Sequence, residues 1–170
     1  GEKVPKSVQK LIVNPDIQVL PDELCEACES LREVTLPKGL IKIGREAFVY
    51  CERLLEIKIW STVESIGYGS FCSCYSLTKV EFEESSSSPH HYQLKTIDYR
   101  AFRLCIALQR IKVPSSMNMI GKGAFSECIA LVEANLATTS ITEIPGEGFS
   151  SCHSLQTVSL PISLEYIGRE

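Results

Sequence analysis

A block of about a dozen residues recurs five times along the chain, and it restricts the possible folds more than any other feature. The copy at 120–131 reads IGKGAFSECIAL. Its Ile, Phe, Cys and Leu return at fixed offsets in the other copies, which begin at Ile43, Ile66, Ile97 and Ile144. Self-similarity of this kind is the signature of a repeat architecture, in which each copy folds as one structural unit.

The spacing of the copies sets the period of the repeat. Ile43 and Ile66 are 23 residues apart, as are Ile97 and Ile120. The step from Ile120 to Ile144 is 24 residues, and the step from Ile66 to Ile97 is 31. A period in the twenties with regularly placed Leu and Ile predicts a solenoid.

The same spacing divides the whole chain, 1–170, into about six repeats of a single domain. Residues 1–42 match the pattern only in part and form a degenerate N-terminal repeat. The longer step places an insertion at 83–93, which is rich in Ser and is predicted to be a loop. The chain stops in mid-repeat at Ile167-Gly168, so we expect an open end, with either a monomer or a weak dimer formed through it.

Each repeat divides into a strand half and a turn half. Segment 31–37 reads LREVTLP, with alternation followed by proline, which is typical of a short strand. One such strand per repeat predicts a parallel sheet with rungs about 4.8 Å apart. Segment 47–51 reads AFVYC, and the i, i+3 spacing of its Phe and Cys favours a short helical turn facing inward. The sequence therefore predicts an α/β solenoid.

A column of aromatic residues is expected inside this solenoid. The same repeat position is occupied by Phe48, Phe71, Phe102, Phe125 and Phe149. Burying one Phe contributes about 1.5–3 kcal/mol, so the column is expected to be a main source of stability.

Six of the eight cysteines also share one repeat position, three residues after the Phe or its equivalent. They are Cys28, Cys51, Cys74, Cys105, Cys128 and Cys152. A Cys that recurs at one structural position serves as a small buried apolar residue, so we expect reduced thiols. Reduced thiols favour a cytoplasmic location, with the cell surface as the alternative.

Metal binding is not expected. The pairs Cys25-x-x-Cys28 and Cys72-x-Cys74 lie two repeats apart, about 10 Å along the stack, which is too far to share one zinc ion. His90 and His91 in the insertion have no third ligand beside them. We therefore predict no metal site and no cofactor.

The repeated unit C-x-x-L-x-x-I-x-L-P-x-x-L-x-x-I-G-x-x-A-F resembles the BspA-like, or Treponema pallidum-type, leucine-rich repeats. The resemblance covers about Leu11 to Gly168. The chain departs from the family pattern at Cys25 and Pro145. The resemblance implies a right-handed, horseshoe-like leucine-rich repeat solenoid with the parallel sheet on its concave face. It also implies binding to other macromolecules without catalytic residues. Because relatives occur as bacterial surface adhesins, a cell-surface adhesion or recognition domain is the alternative function.

Net charge and apolar patterning exclude some classes of partner. The net charge is −4, and no stripe of Lys and Arg runs along the chain, which argues against nucleic acid. No apolar run approaches the length of a membrane span, which argues against membrane insertion. A protein partner is left as the expected one.

Alternate strand residues are expected to point out of the concave face. The residues predicted to bind a partner there are Glu56, Lys58, Trp60, Lys79, Glu81, Arg110, Lys112 and Glu133. One interpretation is that neighbouring opposite charges simply satisfy each other across the sheet. The other is a mixed-charge binding face whose basic centre, Lys79, Arg110 and Lys112, meets an acidic partner. Trp60 either anchors a partner or covers apolar surface at the rim.

Overall fold

The computed structural model describes residues 3–83 and 92–169, which stack in regular rungs of strand and turn. The strands of these residues, in chain order, are β1 (Lys10–Ile12), β2 (Glu33–Thr35), β3 (Lys42–Ile43), β4 (Glu56–Trp60), β5 (Ser65–Ile66), β6 (Lys79–Glu83), β7 (Thr96–Ile97), β8 (Arg110–Lys112), β9 (Met119–Ile120), β10 (Glu133–Asn135), β11 (Glu143–Ile144), β12 (Thr157–Ser159) and β13 (Tyr166–Ile167). They belong to two parallel ladders that run along the stack.

The first ladder contains the strands predicted from the alternating segments. Its hydrogen-bonded groups are β1–β2, β4–β6 and β8–β10–β12, and every pairing is parallel. The register follows the repeat, since Leu11 pairs with Val34 and Ala134 with Val158. The parallel solenoid sheet predicted from the sequence is therefore confirmed.

A second ladder of two-residue strands runs beside the first and was not predicted. It joins β3–β5–β7–β9, and separately β11–β13, through the Ile that opens each repeated block. Ser65 pairs with Thr96 and Ile66 with Ile97, so this ladder continues across the insertion. The first ladder is interrupted at that point, between β6 and β8, and also between β2 and β4, where there is no insertion.

The predicted helical turns are wrong. No helix occurs in residues 3–83 or 92–169. In the turn at 46–51, Glu46 and Tyr50 have φ of 52° and 58°, values that a right-handed helix excludes. The amide of Tyr50 bonds the carbonyl of Cys72 in the next rung at 2.9 Å rather than that of Glu46. A non-helical turn therefore accounts for the i, i+3 spacing of Phe48 and Cys51. Its backbone amides also donate hydrogen bonds to the next rung.

The aromatic column lies inside the solenoid as expected. Phe48, Phe71, Phe102 and Phe125 are fully buried, and Phe149 is half-buried. Successive rings stack with centroids 5.1–5.6 Å apart and interplanar angles of 3–11°. Offset stacking at this distance adds to the burial of apolar area.

The glycine of the repeated block permits close approach between rungs. A Cβ placed on Gly121 would lie 2.3 Å from the amide nitrogen of Tyr99 and 2.4 Å from the carbonyl carbon of Asp98. The backbone of Gly121 is not left-handed, so a tight bend is not what requires glycine here. The requirement is space between neighbouring rungs.

Most of the predicted insertion, including its Ser run, His90 and His91, lies outside the described residues. Within 3–83 and 92–169, no helix is long and apolar enough to cross a membrane.

Candidate interaction surface

The outward side chains of the first ladder form one polar surface, called the strand face below. One column contains Glu33, Glu56, Lys79, Arg110, Glu133 and Thr157, and the next contains Thr35, Lys58, Glu81, Lys112, Asn135 and Ser159. The pairing of β4 with β6 sets Glu56 beside Lys79 and Lys58 beside Glu81. The inward residues between them, such as Ile57, are buried in the core.

Ion pairs link neighbouring rungs of the strand face. Lys58 lies 3.5 Å from the carboxylate of Glu81 and 3.3 Å from that of Glu83. The pKa of Lys58 is raised, chiefly by its hydrogen bond to Glu83. Lys79 also binds Glu81, and that hydrogen bond is the main reason why the pKa of Glu81 is lowered. Arg110 reaches Glu133 at 3.6 Å.

Two predicted site residues stand outside this network. Within the described part of the chain, Glu56 and Lys112 make no ion pair. Glu56 is the register neighbour of Lys79, but Lys79 turns along its own strand to Glu81. Both unpaired side chains are exposed, so the strand face presents one free acid and one free base.

Trp60 ends β4 on the same side as Glu56 and Lys58. Its indole Nε1 donates a hydrogen bond to the carbonyl oxygen of Leu36 at 2.9 Å. The ammonium of Lys38 lies 5.0 Å from the ring centroid. Trp60 is half-buried and packs against the core, so part of one ring remains accessible at the rim.

A cleft of about 730 Å³ lies beside the strand face, where β6 and β8 are not hydrogen-bonded to each other. Phe82, Lys112 and Pro114 line it. Phe82 is half-buried, whereas Val113 at the equivalent position of the next rung is buried. The hydroxyl of Tyr92 donates to the carbonyl oxygen of Phe82 at 3.1 Å. The cleft therefore combines an accessible aromatic ring with an unpaired cation.

The eight cysteines are free thiols, as predicted. Those of the column donate hydrogen bonds to carbonyl oxygens of the preceding rung, for example from Cys74 to Phe48 at 3.3 Å and from Cys128 to Phe102 at 3.2 Å. Burial raises the pKa of these thiols. A thiol that stays protonated at neutral pH is a poor nucleophile and a poor metal ligand. Among the described residues, no group of three or more His, Cys, Asp or Glu side chains is placed to hold a metal.

Comparison with known families decides what kind of repeat this is. The model described as "BspA type Leucine rich repeat region (6 copies)" matches residues 5–92 and 86–170. The chain belongs to the BspA-type leucine-rich repeat family. A search of curated proteins gives no match.

Solved structures share the BspA-type fold. A Treponema pallidum leucine-rich repeat protein is 26% identical with a TM-score of 0.71, over 93% of this chain and 78% of that one. A leucine-rich repeat protein from Eubacterium ventriosum is 22% identical with a TM-score of 0.81, over 98% and 43% of the two chains. One from Bacteroides ovatus is 24% identical with a TM-score of 0.69, over 94% and 47%. The chain thus spans about half the length of two of these three proteins.

A second cluster of this BspA-type chain, on the turns, was missed by the sequence analysis. Tyr68 and Tyr99 stack with ring centroids 5.4 Å apart. The guanidinium of Arg45 lies 4.9 Å from the Tyr68 ring, and that of Arg100 lies 4.7 Å from the Tyr99 ring. Three of these residues, Arg45, Tyr68 and Tyr99, follow the Ile-Gly pair or its equivalent in successive repeats. Comparing that position across copies would have indicated the stack.

Proposed function

We propose that this chain is a non-catalytic module that binds a protein partner through the strand face and the adjoining loops. The observation that carries the proposal is the pattern of charge on that face. Lys58, Lys79 and Arg110 hold acidic neighbours, while Lys112 is exposed and has none among the residues that the structure describes. An acidic partner segment therefore has one free cation to meet at first contact.

The remaining basic residues support the same proposal. Exposed ion pairs contribute little to stability because water and salt compete for both partners. A bound protein can exchange the Arg110–Glu133 pair for its own carboxylate at small cost. Such rearrangement makes the paired charges of the face available for recognition and for steering of the encounter.

Aromatic and apolar groups beside the charges provide contact area. Phe82 lines the same cleft as Lys112 and Pro114, and Trp60 at the end of β4 is the register neighbour of Glu83, which also lines it. Aromatic residues in partly enclosed positions are enriched among the side chains that dominate binding energy. We propose that this end of the strand face is the centre of the interface.

The high pKa values of the thiols support a role without catalysis. Burial raises the pKa of Cys25 to about 12 and that of Cys152 to about 11. At neutral pH these groups remain protonated and do not act as nucleophiles.

The deciding experiment is an affinity pull-down with a charge-reversed strand face. The triple variant Lys79→Glu, Arg110→Glu, Lys112→Glu is expected to lose the proteins that the native chain retains. The matched control reverses Lys42, Arg53 and Lys95, which are exposed and lie off the strand face, and therefore changes the net charge equally. Equal recovery of bound proteins by both variants would overturn the proposal.

A further inference from the structure

A small cleft on the turn side of the molecule is separate from the strand face. It has a volume of about 200 Å³ and spans neighbouring rungs. Its lining consists of Glu26, Glu46, Val49, Tyr50, Tyr68, Gly69, Cys72, Arg100 and Arg103. All of these residues belong to turns rather than to strands.

Most charges that line the cleft are already compensated. Lys3 holds Glu26, and Arg45 lies 3.3 Å from Glu46. Arg103 donates to Glu127 at 2.9 Å. Arg100 differs, because in the described part of the chain it has no ion pair. Arg100 is therefore the charged residue of the lining that has no ion pair among the described residues.

The guanidinium of Arg100 also has unused donors. Its Nε is fully buried without a hydrogen-bond acceptor among the described residues, so this atom is closed to the cleft. Its two terminal nitrogens also make no hydrogen bond to the described residues, and they are not buried, so they are the donors that a ligand in the cleft can reach. The stacked Tyr99 ring, 4.7 Å from the guanidinium, restricts where these donors can move.

The space beside Arg100 exists because the preceding repeat has a glycine at the same position. Gly69 has a φ of 54°, and a Cβ there would lie 3.3 Å from the Cγ of Glu46 and 3.8 Å from the Cβ of Cys72. Arg100 itself has a left-handed φ of 53°, although it is not glycine. A larger side chain at Gly69 would fill the cleft that Arg100 lines.

We propose that this cleft binds a single carboxylate, supplied by an acidic side chain or the C-terminus of a second protein. A planar carboxylate matches the fork of donors that a guanidinium presents. Inorganic phosphate or a phosphorylated side chain fits less well, because Arg100, the charged lining residue without an ion pair among the described residues, can offset only one of its two negative charges. The site is independent of the strand face and does not rest on the function proposed for it.

Side-chain ¹⁵N NMR tests the proposal on the folded chain. The probe is N-acetylglycine, a monocarboxylate that imitates a peptide C-terminus, and it is titrated at constant ionic strength. We expect the Nε–Hε signal of Arg100 to shift and saturate in the millimolar range, while that of exposed Arg53 stays in place. Inorganic phosphate is titrated in parallel and is expected to give no saturable shift.

Variants assign the binding to Arg100. Arg100→Gln is expected to lose N-acetylglycine binding, measured from the backbone amides of the cleft, and Arg53→Gln to retain it. If Arg100→Gln fails to fold, Arg100→Lys keeps the charge without the fork and is expected to weaken binding at least about tenfold. Saturation by phosphate but not by N-acetylglycine overturns the carboxylate assignment. No saturable shift with either probe means that the cleft holds only water and overturns the proposal.

Discussion

Phe71 and Phe102 are 31 residues apart in sequence, yet their rings stack at 5.1 Å with an interplanar angle of 5°. Phe48 and Phe71, separated by the ordinary 23 residues, stack at 5.3 Å. The insertion therefore leaves the aromatic column undisturbed. The first ladder is interrupted beside the insertion, between β6 and β8, but it is also interrupted between β2 and β4, where the repeat has its ordinary length.

The central ring of this column is expected to be critical for stability. Phe102→Ala removes a fully buried ring that stacks on both sides and should lower the free energy of unfolding by about 3–5 kcal/mol. Urea denaturation measures the change. Leu55→Ala, at a side chain 49% exposed, is the control and should change it by less than about 0.5 kcal/mol. A loss below about 1 kcal/mol for Phe102→Ala would contradict the role given to the column.

The close approach of rungs at Gly121 predicts a large effect from one methyl group. Gly121→Ala should cost about 1–3 kcal/mol, towards the upper end because the obstructing atoms belong to the backbone of Asp98 and Tyr99. Gly39→Ala is the matched control, since a Cβ at Gly39 meets no atom within 4 Å. Thermal unfolding of both variants tests the difference. Equal stability of the two would show that the rungs can separate freely at this point.

The buried thiols predict a loss of stability at alkaline pH. Burial raises the pKa of Cys25 from 9.0 to about 12. The folded state therefore retains a proton that the unfolded state releases between these values, so stability is full below about pH 9 and falls as the pH rises towards 12. In this window, each rise of one pH unit should lower the folding equilibrium constant of the native chain. The factor by which it falls should be about tenfold larger than the factor for Cys25→Val.

Urea titrations from neutral to alkaline pH measure both proteins of this comparison. Tyr and Lys titrate in the same range, but they do so equally in both chains, so the difference reports Cys25 together with its interaction with Cys28. Parallel pH profiles for the two proteins would contradict a protonated Cys25 in the folded state.

The strand face is expected to separate binding from stability. The triple variant Lys79→Glu, Arg110→Glu, Lys112→Glu breaks exposed ion pairs and places like charges beside Glu56 and Glu133 at the surface, so its melting temperature should fall by a few degrees. Calorimetry alongside the pull-down measures this. A large fall in melting temperature would mean that lost binding reflects unfolding rather than a lost contact.

The sequence predicts the inside of this protein well, because identical environments recur there every 23 residues. The Phe column, the thiol column and the register of β1 on β2 all follow from that period. The turns are less predictable. Glu46 and Tyr50 adopt left-handed φ without being glycine, and only Gly69 and Gly123 at the first of these positions give a sign of it.

The strand face shows where such prediction ends. Alternation places Glu56, Lys79 and Glu81 on the correct side of the sheet. It does not determine that Lys79 binds Glu81 within its own strand rather than Glu56 across the sheet, because that choice depends on side-chain rotamers. The stack of Tyr68 on Tyr99 depends in the same way on contacts between rungs.

The thiol column has a consequence for how such proteins change in length. Cys128 donates to the carbonyl of Phe102 in the preceding rung, and Cys152 donates to that of Phe125. Each repeat thus supplies a thiol that donates a hydrogen bond to the rung before it and a Phe carbonyl that accepts one from the rung after it. A tandem duplication or deletion of one whole repeat in the gene would leave every junction chemically complete. Genes of this kind can gain or lose whole rungs of the strand face by recombination without first evolving a new interface between repeats.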